Sequence, residues 1–243
     1  MTDARRAELA EALAAVEARI AAACAAAGRA RDTVRLLAVT KTFPALDAAL
    51  LADLGVHDLA ENKDQEASEK VDEVAKLRPE ATLRWHMVGR LQRNKARSVA
   101  RWADEIQSVD SARLIDALAK GVHAARDHGD RERPLDVLLQ VSLDGDPARG
   151  GCALAEVNSL ADHVARSGEL RIRGLMAVAP LGSDLDSAFG RLAQASAGLR
   201  EDFPDAGELS AGMSRDLEQA ITHGSTCVRV GTALLGGRGL ASP

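Results

Sequence analysis

A repeated alternation of short apolar runs with amphipathic helical patterns restricts the fold of this chain more than any other feature. Eight apolar runs of strand length are separated by stretches with helical periodicity. Because parallel strands need helical crossovers, this order predicts a parallel sheet. Eight such repeats in about 210 residues favour a closed (β/α)8 barrel over an open doubly wound sheet. The sequence shows no linker rich in Pro, Gly or Ser, so we expect one domain over residues 1–243.

The predicted elements follow one another along the chain. The strands are Arg35–Thr40, Val56–Glu61, Leu83–Val88, Glu105–Val109, Leu135–Val141, Ile172–Val178, Glu208–Gly212 and Cys227–Val230. The helices between them are Ala45–Leu54, Gln65–Leu77, Asn94–Ala103, Ser111–His128, Ala155–Arg166, Asp184–Glu201 and Leu217–Thr222. An extra N-terminal helix is predicted over residues 3–27, because Leu9, Leu13, Val16 and Ile20 form one apolar stripe. The glycine-rich segment Asp144–Gly151 is expected to form a long loop after the fifth strand.

Charge and cysteine content exclude several classes of protein. The formal net charge is −5, so the chain lacks the positive charge that binds nucleic acids. We expect the basic run Arg90–Arg97, with Arg101, to be a solvated helix face. The three cysteines, Cys24, Cys152 and Cys227, form no C-x-x-C pair, which argues against a disulfide framework or a zinc site and is typical of the cytoplasm. Neither a signal peptide nor an apolar run near the roughly 20 residues of a membrane span is visible, so we expect no membrane contact.

The ends of the predicted strands should gather at one face of the barrel, where active sites form. They supply one amine, several hydrogen-bonding groups and few carboxylates: Lys41, Glu61, Asn62, His86, Gly89, Asp110, Gln140, Ser142, Met176, Met213, Ser214, Gly231 and Thr232. Since no H-x-H, H-E-x-x-H or clustered Asp/Glu pattern occurs, we expect no metal site.

Lys41 stands at the end of the first apolar strand, shortly before Pro44. Two interpretations of this lysine remain open. It is either an ordinary loop lysine, since lysine is rarely buried without a partner, or a Schiff-base lysine whose amine becomes nucleophilic through partial desolvation.

A second candidate region follows the seventh and eighth strands. Ser214, Gly231 and Thr232 could offer hydroxyl and backbone N–H groups to a phosphate, at the place where many barrels bind one. Ordinary turn residues are the alternative. Arg229 should point into the barrel, where its partner would be a ring nitrogen or a carboxylate such as Glu61 or Asp110.

Several short motifs in this order resemble those of a known family. They are Leu36–Lys41, Glu61-Asn62, Arg84–Gly89, Leu91-Gln92 with Asn94-Lys95, Asp136–Val141, Arg173–Met176, Gly212–Ser214 with Asp216–Glu218, and Val228–Ala233. Over roughly residues 35–237 the chain resembles the pyridoxal 5′-phosphate (PLP) homeostasis proteins, which are single-domain relatives of the barrel half of alanine racemase. Four positions depart from the usual family pattern, namely Ala60, Lys63, Arg90 and Ala211, and they put details of packing around the cofactor ring in question.

The resemblance implies PLP as the cofactor and a role for each site residue. Lys41 would form an imine with the aldehyde carbon of PLP. Arg229 would face the pyridine nitrogen. The phosphate would be held by Ser214, Gly231 and Thr232, and the ring lined by Asn62, Met176 and Met213.

The function implied is a carrier rather than an enzyme. Guanidinium cannot accept a proton, so an arginine beside the pyridine nitrogen leaves the ring a weaker electron sink. Racemases related to this barrel use a tyrosine from a second domain, and this chain contains no tyrosine. We therefore expect a monomeric cytoplasmic protein that holds PLP for homeostasis, or for delivery to PLP-dependent client enzymes, without turnover. A PLP-dependent amino-acid racemase and a class I aldolase remain the alternatives.

Overall fold

Eight parallel strands form a closed barrel in the computed structural model, which describes residues 2–146, 150–180 and 182–237. The strands are β1 (Arg35–Val39), β2 (Asp58–Glu61), β3 (Arg84–Met87), β4 (Glu105–Val109), β5 (Leu135–Gln140), β6 (Leu170–Met176), β7 (Glu208–Ser210) and β8 (Cys227–Val230). Each strand pairs with the next in the sequence, and β8 pairs with β1 to close the barrel, with Arg229 opposite Leu37. The predicted (β/α)8 barrel is confirmed.

Helices surround the barrel at nearly the predicted positions. They are α1 (Thr2–Ala26), α2 (Ala45–Asp53), α3 (Asp64–Leu77), α4 (Ala96–Trp102), α5 (Ala112–Asp127), α6 (Val157–Ser167), α7 (Leu185–Asp202), α8 (Leu217–Thr222) and α9 (Thr232–Leu235). The fourth starts two residues later than predicted because Arg93–Lys95 form a 3₁₀ turn. The seventh strand ends at Ser210 rather than Gly212, whose φ of +92° is outside strand geometry. Part of the predicted loop Asp144–Gly151 lies outside the described residues.

The main apolar cores lie between the sheet and the helices. One gathers around β4 to β6 with the helices that cover them, and includes Ile106, Leu139 and Phe189. The other joins β1, β2 and β8 to α1 and α2, and includes Leu9 and Ile20 from the predicted stripe of α1. Burial of this outer face of the sheet explains why the strands appear as apolar runs in the sequence.

The inside of the barrel is polar, unlike the branched aliphatic filling usual in this fold. Ser210 of β7 donates a hydrogen bond to Gln107 of β4, which only side chains that point into the barrel can do. Polar side chains that are buried or partly buried occupy successive levels between the two ends of the strands, among them Arg35, Asp58, His86, Glu105, Gln107, Ser210 and Arg229. Leu37, Ala60 and Cys227, with Val39 and Val88, form a small apolar group beside these polar side chains.

Two properties bear on function at the level of the whole fold. Across the described ranges, no helix has the length and apolar character needed to cross a membrane. The described residues also contain no group of three or more His, Cys, Asp or Glu side chains that could bind a metal ion.

Candidate functional site

A cavity of about 690 Å³ opens at the carboxyl ends of the strands. All eight residues expected to bind the cofactor line it: Lys41, Asn62, Met176, Met213, Ser214, Arg229, Gly231 and Thr232. Strands β1, β2, β6, β7 and β8, or the residues directly after them, supply these side chains. The structure thus brings together residues that are up to 191 positions apart in the sequence.

Lys41 follows β1, and a buried network holds the residue before it. The Thr40 hydroxyl donates to the Glu61 carboxylate at 2.7 Å. The Lys70 ammonium donates to the same carboxylate oxygen, and also to the backbone carbonyl of Thr40 at 2.8 Å. Lys41 itself is half-buried, and among the described residues no group accepts a hydrogen bond from its amine. The backbone is therefore fixed while the amine is left available to the cavity.

This network corrects one expectation about the mouth of the barrel. Glu61 was grouped with the residues of the mouth, but it is fully buried and its carboxylate pairs with Lys70. Glu61 is therefore not a partner for Arg229. Lys70 lies on α3, outside the strand ends, so the rule that strand ends carry the site could not identify it.

Arg229 has neutral partners instead of the suggested carboxylate. Its guanidinium donates to the Ser210 hydroxyl at 2.7 Å and to the backbone carbonyl of Ala177 at 2.7 Å. The side chain is only 5% exposed. Burial lowers the pKa of the Arg229 guanidinium, but a guanidinium starts so high that it stays charged at neutral pH. A permanent positive charge therefore lies in the cavity wall without an ion pair among the described residues.

Asn62 offers the cavity a polar atom with no partner in the protein. Its side-chain oxygen is buried and accepts no hydrogen bond from any described residue. The backbone of Gly89 packs directly against the backbone of Asn62, since a Cβ at Gly89 would lie 2.2 Å from the backbone carbonyl oxygen of Asn62. An orphaned buried oxygen is costly unless a ligand or water satisfies it, so this atom is suited to a ligand with a hydrogen-bond donor.

The residues that follow β7 and β8 form a small corner of the cavity, and backbone groups make up much of it. A Cβ at Gly231 would lie 3.3 Å from the Val39 carbonyl oxygen, so a glycine keeps the backbone close to β1. α9 begins at Thr232, and the first N–H groups of a helix have no intrahelical acceptor. Together with the hydroxyls of Ser214 and Thr232, this corner has the donors that an anion such as phosphate requires.

Two arginines of helix α1 form hydrogen bonds to this corner from outside the barrel. The Arg19 guanidinium donates to the Ser214 carbonyl at 3.1 Å and to the Glu218 carboxylate at 2.7 Å. Arg5 donates to the carbonyl of Leu235, the last residue of α9, at 3.0 Å. The extra N-terminal helix is therefore tied by hydrogen bonds to the loop after β7 and to the end of α9.

Sequence reasoning missed one wall of the cavity and misplaced other residues. The loop after β6 lines the cavity through Val178, Ala179, Pro180, Gly182 and Ser183, and Arg215 lines it beside Ser214. Turn residues such as Pro180 and Gly182 were the only signal for that loop. Four candidates from other strand ends do not line the cavity: His86, Asp110, Gln140 and Ser142.

His86 belongs to a charged cluster at the opposite end of the barrel, which we call the floor: Arg35, Asp58, Arg84, His86, Glu105, Asp136 and Glu208. The two ring nitrogens of His86 lie 2.8 Å from Asp58 and 3.0 Å from Glu105, so both must donate and the imidazole is protonated. Burial alone would lower the pKa of His86, but these hydrogen bonds raise it. Burial alone would raise the pKa of Glu105, but the hydrogen bond from His86, with the charges of His86 and Arg35, lowers it to about 2.

The fold, with a lysine after β1 beside a corner that contains Gly231 after β8, is that of the (β/α)8 barrels to which the barrel of alanine racemase belongs. The family model of the alanine racemase N-terminal domain matches residues 12–239. A relative from Mycobacterium bovis, named pyridoxal phosphate homeostasis protein, is 50% identical over 98% of this chain and 96% of its own length. The chain therefore belongs to the alanine racemase N-terminal domain family and, within it, to the pyridoxal phosphate homeostasis proteins.

Solved structures show the same relationship. A protein from Bifidobacterium adolescentis is similar with a TM-score of 0.87 and 32% identity, over 96% of each chain. The structure of PipY from Synechococcus elongatus with PLP bound is similar with a TM-score of 0.78 and 33% identity, over 94% of this chain and all of PipY.

Proposed function

We propose that this protein binds PLP as an imine of Lys41 and holds it for cytoplasmic homeostasis and delivery to client enzymes, without catalytic turnover. One observation carries the proposal: the eight residues that the family pattern assigns to the cofactor line one cavity. The family membership and the PLP-bound structure of PipY support the choice of cofactor.

The residues of the cavity fit the parts of PLP. Its phosphate suits the corner formed by Ser214, Gly231 and Thr232, and its aldehyde suits the free amine of Lys41. The orphaned oxygen of Asn62 offers an acceptor to a polar group of the ligand. Met176 and Met213 supply apolar surface for the ring.

Arg229 shapes the chemistry that the site allows. When bound, PLP supplies an aromatic ring that can withdraw electrons from an attached amino acid, and it does so best when its pyridine nitrogen is protonated. Arg229 has donors only, and it is held by Ser210 and Ala177. A nitrogen facing it accepts a hydrogen bond and takes no proton, so the site favours holding the cofactor over activating a substrate.

The described residues of the cavity also offer no free second base of the kind that racemisation requires. A racemase removes a proton on one face of its substrate and returns one on the other, which takes two acid–base groups. Among the described residues lining the cavity, the only titratable groups are Lys41, Asp216, Arg215 and Arg229. Asp216 is 8% exposed and accepts a hydrogen bond from the Met213 N–H at 2.6 Å, so it is committed to the loop.

Two measurements on the PLP-loaded protein test the proposal. Borohydride reduction followed by peptide mapping should place the cofactor on Lys41 without any added sugar, which a class I aldolase would not show. A label on another lysine would overturn the assignment of the site. Incubation with L-alanine should give no sustained formation of D-alanine, whereas continuous racemisation would establish the rival function. Restored activity of an apo client enzyme would support delivery.

A further inference from the structure

We propose that Ser210 and Gln107 are positioning residues, which hold Arg229 in the cavity wall by linking it to Glu105 at the floor of the barrel. The proposal rests on the function proposed above, because its readout is the binding of PLP. It adds a role for two side chains in the barrel interior that do not line the cavity.

A continuous chain of hydrogen bonds runs through the barrel. Arg229 donates to the Ser210 hydroxyl at 2.7 Å. Ser210 donates to the side-chain oxygen of Gln107 at 2.7 Å, and the Gln107 amide nitrogen donates to Glu105 at 2.8 Å. Glu105 then accepts from His86 at 3.0 Å. This hydrogen-bond chain joins β8, β7 and β4 and ends on β3, so it crosses the interior of the barrel rather than following one strand.

The donor and the acceptor of every hydrogen bond in this series follow from the side chains involved. A guanidinium can only donate, so the Ser210 oxygen must accept from Arg229 and its single hydrogen is free for Gln107. A carboxylate can only accept, so Gln107 must direct its nitrogen to Glu105 and its oxygen to Ser210. The amide therefore has one possible orientation, and the hydroxyl has one possible rotamer of its hydrogen.

Burial makes this arrangement costly to disturb. Ser210, Gln107 and Glu105 are all 0% exposed, so none of these side chains is in contact with bulk water. An unsatisfied buried donor or acceptor is strongly disfavoured. Arg229 can therefore leave its position only if Ser210 loses its partner at the same time, and this keeps the guanidinium in place beside the cavity.

Arg229 keeps its positive charge at the cavity without a direct ion pair among the described residues. Burial lowers the pKa of the Arg229 guanidinium, and the charge of Asp216, which also lines the cavity, acts to raise it from a distance. A carboxylate in contact would compete with a ligand for the guanidinium N–H groups, whereas a neutral partner such as Ser210 holds the side chain and leaves its other N–H groups free. The interior polar residues thus position the arginine and leave it able to bind.

The test compares Ser210→Ala and Gln107→Leu with a matched control. Ser108→Ala removes a neighbouring buried hydroxyl that has no hydrogen-bond partner among the described residues, so it reports the effect of the substitution alone. Each protein would be titrated with PLP, and the pH dependence of its imine absorbance band would be measured. Thermal unfolding of each protein without PLP would reveal any general loss of stability.

We expect Ser210→Ala to weaken PLP binding by about tenfold, since Arg229 loses one of its two hydrogen bonds. Gln107→Leu removes the links from Gln107 to Ser210 and to Glu105 but leaves both hydrogen bonds of Arg229, so it should weaken binding by about threefold. A less firmly held guanidinium should move away from the pyridine ring, so its positive charge opposes protonation of the imine less and the pH midpoint of the band should rise. Ser210→Thr keeps the hydroxyl and should restore both values, and Ser108→Ala should change neither.

Two results would overturn the proposal, and they differ from a failure of the proposed function. If Ser210→Ala and Gln107→Leu have the same affinity for PLP as Ser108→Ala and an unchanged pH midpoint, the hydrogen-bond chain does not position Arg229. If they lose stability without a change in the midpoint, their role is structural only. Failure of the unsubstituted protein to bind PLP would instead refute the proposed function.

Discussion

The two ends of the barrel differ in whether their polar and charged side chains have partners within the protein. At the floor, Glu105 accepts hydrogen bonds from His86 and Gln107 and lies 3.3 Å from Arg84, so the buried charges satisfy one another. At the mouth, the amine of Lys41 and the side-chain oxygen of Asn62 have no partner among the described residues. The difference teaches that polarity at the floor serves the fold, whereas polarity at the mouth is reserved for a ligand.

The largest effect should come from breaking the floor. Glu105→Gln removes one of the two carboxylates that His86 and Arg35 share, the other being Asp58. Removing one partner of a buried ion pair costs about 3–5 kcal/mol of unfolding free energy. Chemical denaturation would measure this change. Asp130→Asn, which removes an exposed partner of Arg101, is the control and should cost about 0–1 kcal/mol. Equal effects for the two variants would contradict the role assigned to the floor.

The floor should also set how stability depends on pH. The pKa of Glu105 is lowered to about 2 in the folded protein, so its contribution is complete above the ordinary carboxyl pKa of 4.5 and is lost as the pH falls towards 2. The pKa of His86 is raised, so its contribution is complete below its ordinary value of 6.5 and is lost as the pH rises through the folded-state value. Unfolding free energies measured across this range should therefore fall on both sides. A flat profile between pH 2 and 4.5 would be inconsistent with a paired Glu105.

At the mouth, a substitution should affect binding more than stability. Asn62→Ala removes a buried oxygen that has no partner, so the unfolding free energy should change by no more than about 1 kcal/mol. The affinity for PLP should fall by about tenfold, because the ligand loses an acceptor. Titration and denaturation of the same preparation would measure both. A large loss of stability with unchanged affinity would place Asn62 with the structural polar groups.

The smallest effect should come from the outside of the corner after β7 and β8, where we propose that the phosphate binds. Arg19→Gln removes the hydrogen bond to the Ser214 carbonyl and the ion pair with Glu218, both partly exposed. The affinity for PLP should fall by about two- to fivefold, since such contacts contribute about 0.5–1 kcal/mol. Pyridoxal, which has no phosphate, is the control ligand, and its affinity should not change. A parallel loss for both ligands would show that α1 does not act through the phosphate corner.

Most of the fold and of the mouth could be predicted from the sequence, for a physical reason. The outer face of every strand is buried under helices, so the strands are visible as apolar runs, and the order of the runs determines a parallel barrel. Because strand ends converge in such a barrel, residues such as Lys41 and Thr232 could be grouped without knowing any distance.

The interior could not be predicted in the same way. Which level of the barrel an inward residue occupies depends on the stagger between strands, and a single sequence does not contain that information. His86 was therefore placed at the mouth although it lies at the floor, and the pairing of Gln107 with Ser210 was not visible. Lys70 and Arg19 act from helices, so the pattern of strand ends could not reveal them either.

The absorbance spectrum of the PLP-loaded protein, compared with that of Lys41→Ala, tests the central claim most directly. Lys63→Ala is the matched control, since that lysine is exposed and pairs with Glu66 on the surface. We expect an imine band in the unsubstituted protein and in Lys63→Ala, and none in Lys41→Ala. The same band in all three proteins would contradict the claim that Lys41 holds the cofactor.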